Sequence, residues 1–309
     1  MKRFIFKTLL LLLPIIVAAV SMEYLLRRIP NDYTYKKHYL DEHSRDIRLL
    51  ILGSSETYFG IDPIYFSQNT FNASHVSQTL DLDYEIFDKY QNRFDNLKDI
   101  IISITYHTLW GRLKTGVEAW RMKNYALYYG IDTKSWSDNS EILNGKLAIN
   151  IQRLFDHYFK KTNDITCSEL GWATTFKSEI VNDLEETGRS AALRHTYKDI
   201  NSQEKTLVFA ENMKILNSLA EFCNQYNVRL TILTCPTYDS YRENLSEEQL
   251  RRMTDTLNEF AAEHANCQYI NWLANPDFTA KDFFDGDHLN EKGAKKLSEK
   301  LACRIDSIQ

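Results

Sequence analysis

Short apolar runs alternate with amphipathic stretches along most of this 309-residue chain. The apolar runs are hydrophobic at nearly every position, as in parallel strands that are buried on both faces. The strand-like segments are 49–52, 100–104, 228–233 and 268–272, and 71–80 is a further short segment that contains several polar residues. The stretches with a helical period are 206–226, 246–264 and 291–305. Strands and helices in alternation predict an α/β fold with a central parallel sheet.

The N-terminus has a different pattern from the rest of the chain. Lys2, Arg3 and Lys7 precede an uninterrupted apolar or small stretch at 8–22, and Glu23 ends it. This is the layout of a secretory signal, although the stretch is shorter than the ~20 residues of a typical spanning helix. Apolar residues continue past a possible cleavage site at 19–21, which favours an uncleaved anchor. A cleaved signal and a cytoplasmic helix are the alternatives.

These features predict the domain organisation and the location of the chain. We expect a signal-anchor helix at 1–28, a polar stalk at 29–46 and an α/β domain at 47–309. The basic residues ahead of the apolar stretch predict that the bulk of the chain is held outside the cytoplasm. The expected location is a single pass through the cell inner membrane, with the large domain in the periplasm or another extracytoplasmic space.

Residues 108–207 interrupt the alternation of strands and helices. This block lacks strand signals, is rich in Tyr and Trp, and shows helical periodicity in parts. It is too long for an ordinary loop, so we predict a helical insertion that lies over the edge of the sheet. Its aromatic residues could stack on sugar rings, or they could be packing residues of a helical cap.

Composition and charge exclude several classes of protein. The net charge is −5 and no basic stripe is present, so nucleic-acid binding is not expected. The five cysteines are widely spaced without a CxxC motif, which argues against a zinc site. One disulfide is possible in an oxidising compartment, but a core role suits their apolar surroundings better.

The first candidate for chemistry follows the first predicted strand. Gly53-Ser54-Ser55-Glu56 breaks that strand, and Gly53 permits an unusual backbone angle there. A serine at such a turn has its hydroxyl at the carboxyl edge of the sheet, near backbone N–H groups that can receive an anion. Alternatively, Ser54 or Ser55 only caps the next helix.

The second candidate lies near the C-terminus, where an Asp precedes a His by three residues. A serine hydroxyl is a poor nucleophile at neutral pH and needs an adjacent base, and His288 is the candidate. Asp285 is close enough in sequence to orient His288 if the segment forms a tight turn. Asp287 is expected to point away from His288. The two motifs together predict a serine hydrolase.

These motifs resemble those of the SGNH/GDSL hydrolase superfamily. In this family a Gly-Asp-Ser motif follows the first strand, and Gly53-Ser54-Ser55 matches it with Ser54 in the place of Asp. The segment from Asp285 to Asn290, followed by Gly293, matches the family's C-terminal Asp-x-x-His motif. The resemblance implies a flavodoxin-like three-layer α/β sandwich. It implies a catalytic set of Ser55, His288 and Asp285, without a cofactor or a metal ion.

The Gly-Ser-Ser-Glu variant and the N-terminal anchor narrow the resemblance to one branch. They are similar to membrane-anchored proteins of D-alanyl-lipoteichoic-acid transfer and glycan O-acetylation. This implies an extracytoplasmic serine esterase or O-acyltransferase that acts on acyl esters, most readily acetyl, of cell-surface or extracellular glycans. The implied partners are an acylated glycan or an acyl-donor protein, and the membrane.

Two departures from the family pattern concern the oxyanion hole. The family's second block supplies a Gly, whereas residues 72–78 contain none, so Ser77 is the nearest candidate donor. The third block supplies an Asn, whereas Thr105 and His107 stand in its place. These departures keep open a weak or inactive glycan-binding or scaffold protein of polysaccharide assembly. A metal-dependent phosphoesterase with Asp285 and His288 as ligands is a third reading.

Overall fold

A five-stranded parallel sheet forms the centre of the protein. The computed structural model describes residues 1–180 and 182–307. The strand order is β2-β1-β3-β4-β5, with every neighbouring pair parallel. The strands are β1 Leu49–Leu52, β2 Thr70–Asn72, β3 Asp99–Ser103, β4 Arg229–Thr234 and β5 Cys267–Asn271. This is a doubly wound order. The first connection adds β2 on one side of β1, and the later connections add β3, β4 and β5 on the other side.

Helices connect the strands and cover the sheet. Those in the described part of the chain are α1 Lys2–Arg27, α2 Asp32–His43, α3 Ser55–Gly60, α4 Leu80–Tyr90, α5 Met122–Asn124, α6 Leu147–Tyr158, α7 Leu184–His195, α8 Gln203–Gln225, α9 Asp239–Arg242, α10 Glu247–Glu263 and α11 Glu291–Asp306. Most strand and helix positions predicted from periodicity in the sheet region agree with these bounds to within a few residues. The segment 71–80 is the exception, because β2 ends at Asn72 and the rest of the segment is a loop that leads into α4. The prediction of an α/β fold with a central parallel sheet is confirmed.

The core lies on both faces of the sheet. On one face Leu49, Ile51 and Ile101 pack against Leu297 and Leu301 of α11. Successive strand residues point to opposite faces, so the alternate positions of the same strands are buried beneath helices on the other side. That side includes α4 and α8, whose Phe87 and Phe222 meet edge to face at 4.8 Å. These two layers explain why the central strands β1 and β3 are apolar at nearly every position.

The chain forms two compact units. The first comprises residues 1–38 and 117–165, and the second comprises the remainder, including the whole sheet. The predicted insertion at 108–207 is therefore shared between the units, and the strands belong to one of them. Cys223, Cys235, Cys267 and Cys303 are free thiols, and Cys223 and Cys235 are fully or nearly fully buried.

The segment that we predicted to be a polar stalk forms helix α2. Leu40 is fully buried in the second unit, and Tyr39 stacks on Phe71 of β2 with ring centroids 4.0 Å apart. Its aromatic and long polar side chains give α2 little hydrophobic periodicity. That is why the sequence pattern does not reveal this helix.

Helix α1 is long and apolar enough to cross a membrane. The apolar part spans residues 6–27 with a mean hydropathy of 2.3, and 6% of it is buried. Both a membrane anchor and a signal sequence meet these dimensions. Single-pass insertion and the side of the membrane on which the sheet lies stay predictions.

Candidate active site

The turn after β1 places Ser55 at the carboxyl edge of the sheet. Gly53 has φ of +130°, and a Cβ there would lie 2.7 Å from Oγ1 of Thr57 and 2.8 Å from Cβ of Ser103. Only glycine fits this conformation and this space. The chain then enters α3 with Ser54 as its N-cap and Ser55 as its first residue. The sharp turn lifts the Ser55 side chain out of the sheet.

A buried carboxylate that sequence analysis did not identify holds this turn in place. Oδ1 of Asp83 accepts the backbone N–H of Gly53 at 2.7 Å and the side-chain amide of Gln78 at 2.6 Å. Asp83 is 2% exposed, and burial raises its pKa to about 7 against the opposing effect of these two hydrogen bonds. Asp83 therefore links α4 to Gly53, at the start of the turn that carries Ser55.

Asn72 at the end of β2 fixes the other end of α3. Its side-chain amide donates to the carbonyls of Thr57 and Ile61, both at 2.9 Å. Trp172 adds a bond from its indole N–H to the carbonyl of Phe59 at 2.7 Å. Helix α3 has only six residues, so these bonds compensate for its short length.

The C-terminal motif forms a tight loop that ends in α11. Oδ1 of Asp285 accepts the backbone N–H groups of Asp287 at 3.2 Å and His288 at 2.8 Å. Asn290 then caps α11 through its side chain, which accepts from the N–H groups of Lys292 and Gly293. Gly286 sits in the loop with no room for a side chain, because a Cβ there would lie 2.1 Å from Cα of Gly188 in α7.

The structure brings the two motifs together in one hydrogen-bonded chain. Nε2 of His288 lies 2.8 Å from Oγ of Ser55. Nδ1 of the same ring lies 2.9 Å and 3.1 Å from the two carboxylate oxygens of Asp285. The Ser55 hydroxyl also lies 3.4 Å from the carboxylate of Glu56, which is a longer contact. A hydroxyl, an imidazole and a carboxylate in this order have the arrangement of a catalytic triad.

The expectation that Asp287 points away from His288 is wrong. Asp287 is 4% exposed, and Oδ1 of its carboxylate lies 3.5 Å from Nδ1 of His288. Its other oxygen lies 4.0 Å from Nδ1 of His195 in α7, which is 2.8 Å from the hydroxyl of Tyr241. Asp287 therefore lies between His288 and α7. Neither His195 nor Tyr241 is near the motif in sequence, so no local pattern points to them.

The two carboxylates control the protonation of His288. Burial by itself lowers the pKa of His288, but the charges of Asp287 and Asp285 and the hydrogen bond to Asp285 outweigh it. The net effect raises the pKa of His288 to about 10. Burial raises the pKa of Asp287 to about 7, whereas His288 outweighs burial at Asp285 and lowers its pKa. The site therefore stabilises an imidazolium.

Three aromatic rings form a wall beside His288. Phe176 stacks on Phe59 at 3.6 Å and on Phe284 at 3.8 Å. The edges of Phe59 and Phe176 meet the imidazole at 5.8 Å and 5.6 Å. Such a wall excludes water from one side of the imidazole and keeps its orientation.

The structure locates each predicted oxyanion residue without assigning its role. Ser77 has φ of +58°, a left-handed conformation that glycine adopts readily and other residues adopt rarely. Oγ1 of Thr105 lies 2.8 Å from Oγ1 of Thr108 and 3.3 Å from Nδ1 of His107. The ring of His107 stacks on that of His195 at 4.0 Å. Their contributions to an oxyanion hole stay predictions.

The same loop holds the group of potential metal ligands found in the described part of the chain. Ligand atoms of Asp285, Asp287 and His288 lie within 4.8 Å of one another. Carboxylate and imidazole donors would suit a divalent cation. However, both nitrogens of His288 already lie within hydrogen-bonding distance of Asp285 or Ser55. The donor set therefore fits a proton-transfer chain better than a metal centre.

Comparisons with known proteins give a limited result. No protein-family model matches the chain, and no curated protein matches it. A structure from Streptococcus pneumoniae, provisionally assigned as a platelet activating factor, covers 96% of this chain and 98% of its own at 10% identity, with a TM-score of 0.43. A structure from Bacteroides fragilis, provisionally assigned as an acylhydrolase, covers 87% of this chain and 94% of its own at 9% identity, with a TM-score of 0.41. Likeness at this level defines no activity.

Proposed function

We propose that this protein is a membrane-anchored serine esterase or O-acyltransferase of the SGNH type. The single observation that carries the proposal is the hydrogen-bonded chain from Ser55 through His288 to Asp285. The order of its members along the sequence and their positions after β1 and before α11 match the SGNH motifs. Ser55 is the nucleophile, His288 the general base and Asp285 the residue that orients His288.

The first half of the reaction forms an acyl-enzyme. Oγ of Ser55 attacks the ester carbonyl carbon while its proton passes to Nε2 of neutral His288. The carbonyl oxygen becomes an oxyanion, and Asp285 together with Asp287 stabilises the imidazolium that forms. When the tetrahedral intermediate collapses, the C–O bond to the leaving alcohol breaks. His288 returns the proton to that alcohol, which leaves the acyl group on Ser55.

Part of the oxyanion hole comes from the nucleophile turn itself. The N–H of Ser55 belongs to the first turn of α3, where backbone donors have no carbonyl within the helix. It is therefore available to a developing negative charge near Oγ. We propose Ser77, Thr105 and His107 as the source of the remaining donors. Loss of one such donor typically costs on the order of 10²–10³ in rate, so a shortage of donors would make the enzyme slow.

The second half of the reaction decides between hydrolysis and transfer. A water molecule or a sugar hydroxyl attacks the acyl carbon, and His288 accepts its proton. The bond between the acyl carbon and Oγ of Ser55 then breaks, His288 returns the proton to Oγ, and the free acid or the new ester leaves. We propose that the acceptor or donor is an acylated cell-surface or extracellular glycan, most readily an acetylated one, on the extracytoplasmic side of the membrane. The N-terminal helix, the Gly-Ser-Ser-Glu turn and the absence of a basic stripe support this choice.

Covalent labelling of the full chain in detergent tests the proposal. A fluorophosphonate should add one adduct to the wild type, and the adducted peptide should contain Ser55. Ser55→Ala and His288→Ala should abolish the adduct. Ser54→Ala is the matched control, because this neighbouring N-cap makes no side-chain capping bond. It should label as well as the wild type.

One observation favours a second candidate, a catalytically weak or inactive glycan-binding protein on the same fold. Thr105, at the position of the family's oxyanion Asn, has its hydroxyl directed to Thr108 and His107. No adduct on a folded wild type would support this candidate and contradict the esterase. An adduct that persists in Ser55→Ala would show that the nucleophile is another residue.

A further inference from the structure

Helix α6 has its apolar and polar faces reversed relative to an ordinary surface helix. Leu147, Ile151 and Phe155, spaced by four residues on one face, are 64%, 54% and 48% exposed, and Phe159 directly after the helix is 75% exposed. We call these four residues the apolar stripe. In a soluble protein the apolar face of an amphipathic helix turns to the core, so an outward apolar face needs a nonpolar environment.

Polar residues fix the rotation of α6 that exposes the stripe. Asn150 is 1% exposed, and its side-chain amide donates a hydrogen bond to the carbonyl of Glu141. Arg153 forms ion pairs with Glu141 at 3.0 Å and with Asp164 at 2.9 Å. Glu141 is fully buried and also pairs with Lys123, so this cluster cannot turn outward without leaving a buried charge unpaired. The outward direction of the stripe is thus built into the first unit.

Helix α6 and the turn before it are attached to the C-terminal end of α1. The carboxylate of Glu23 accepts from the hydroxyl of Ser140 at 2.9 Å and from the N–H groups of Glu141 and Ile142 at 3.0 Å. At the other end of α6, the hydroxyl of Tyr158 donates to the carbonyl of Leu25 at 3.1 Å. Glu23 is the first charged residue after the uninterrupted apolar stretch 8–22 of α1. A membrane crossed by α1 would therefore have its surface at this level.

Residues around the stripe match the chemistry of a membrane surface. Trp136 is 80% exposed, and it lies three residues before Asn139, whose carbonyl accepts from Arg27 of α1. Tryptophan is enriched at the level of lipid headgroups. Lys146 precedes the helix, and Lys160 and Lys161 follow it, all with exposed side chains. Lysines at this level attract anionic headgroups.

We propose that α6 lies in the surface of the bilayer that α1 crosses, with the apolar stripe buried at the boundary of headgroups and acyl chains. An interfacial helix of this kind inserts about 5–10 Å. Helix α6 then gives the first unit a second membrane contact beside α1. That contact fixes the first unit against the surface, which a single spanning helix does not do. This inference is independent of the proposed enzymatic activity.

Photo-crosslinking of the full chain tests the proposal. The protein is reconstituted into phosphatidylethanolamine–phosphatidylglycerol liposomes that contain phosphatidylcholine with a diazirine at a shallow acyl position. After irradiation and trypsin digestion, cleavage after Lys146, Arg153 and Lys160 releases the stripe on the peptides 147–153 and 154–160. We expect lipid adducts on these peptides and on α1, and none on the peptides of α10.

Charged variants show whether the lipid adducts depend on the apolar stripe or on other residues of α6. Ile151→Asp combined with Phe155→Asp should reduce adducts on 147–160 at least fivefold while adducts on α1 persist. Gln152→Glu, which adds a charge at an exposed position outside the stripe, should leave the adducts unchanged. Circular dichroism confirms that each variant is folded.

Three results would overturn the proposal. The first is adducts on α1 without adducts on 147–160, which would leave the stripe to a protein partner. The second is an amount of lipid adduct on 147–160 that Ile151→Asp combined with Phe155→Asp does not reduce. The third is the absence of lipid adducts on both α1 and α6.

Discussion

Oγ of Ser55 lies 2.8 Å from Nε2 of His288, although 233 residues separate them in the sequence. Two features of the sheet bring these side chains together. Ser55 starts the helix that follows β1, and His288 ends the loop that leads into α11, which packs on β1 and α3. The contact therefore requires the whole α/β core, so unfolding of either α3 or α11 would abolish it.

Asp285→Asn tests the orientation of the base. The carboxamide can still accept the loop N–H groups through its oxygen, but an NH₂ group replaces the second oxygen, which lies 3.1 Å from Nδ1, and the charge is lost. That favours the tautomer with the proton on Nε2, which cannot accept the Ser55 proton. We expect kcat/KM on p-nitrophenyl acetate to fall about 10³–10⁴-fold with an unchanged unfolding temperature. A loss below about tenfold would contradict the role of Asp285.

Asp287→Asn tests the influence of the second carboxylate on His288. The charge of Asp287 raises the pKa of His288, so its removal should lower that pKa. His288 acts as a base only when it is neutral. The wild-type esterase rate should therefore keep rising above pH 7, and the rising limb should move to lower pH in the variant by roughly one unit. The measurement is the pH profile of kcat/KM, and an unmoved limb would argue against this coupling.

Gly286→Ala tests the close contact between the catalytic loop and α7. The added Cβ would meet backbone atoms of Gly188 at 2.1 Å and 2.4 Å, and backbone cannot yield as a side chain can. We expect the free energy of unfolding to fall by about 1–3 kcal/mol and fluorophosphonate labelling to be lost. Gly116→Ala is the control, because its nearest neighbours lie at 3.5 Å. It should unfold and label like the wild type.

Asp83 offers a matched pair of variants for the nucleophile turn. Asp83→Ala leaves the buried N–H of Gly53 and the amide of Gln78 without their acceptor, and should lower the free energy of unfolding by about 1–3 kcal/mol. Asp83→Asn keeps an acceptor oxygen and removes the buried charge, so it should retain most of the stability.

The two Asp83 variants should also differ in how their stability responds to pH. The folded pKa of Asp83 is raised from 3.8 to about 7. Its contribution to stability is therefore fully present below about pH 4 and is lost as the pH rises through about 7. Asp83→Asn should not show this loss. Chemical unfolding at pH 5 and pH 8 distinguishes the outcomes, and a more stable Asp83→Ala would contradict them.

The sheet could be predicted from the sequence because strands buried on both faces need apolar side chains at nearly every position. Residues 49–52, 100–104 and 228–233 show that requirement directly, without knowledge of their neighbours. Ser55, Asp285 and His288 could each be identified as candidates for a related reason. Each sits in a short local motif, a strand-breaking turn or an Asp-x-x-His loop, whose spacing is fixed by local geometry.

Other parts of the site depend on packing between distant segments. Asp287 is buried between His288 and His195 of α7, and Asp83 reaches Gly53 from a helix that follows a different strand. Helix α2 is hidden in the sequence because polar and aromatic residues supply most of its side chains.

The sequence by itself determined the elements whose burial or turn geometry is written locally: the strands, the helices that cover them and the two motifs. Only the tertiary structure decided which carboxylates surround His288 and which face of α6 turns outward. Contacts between segments far apart set the burial and charge of a side chain, and a linear pattern carries no record of those contacts.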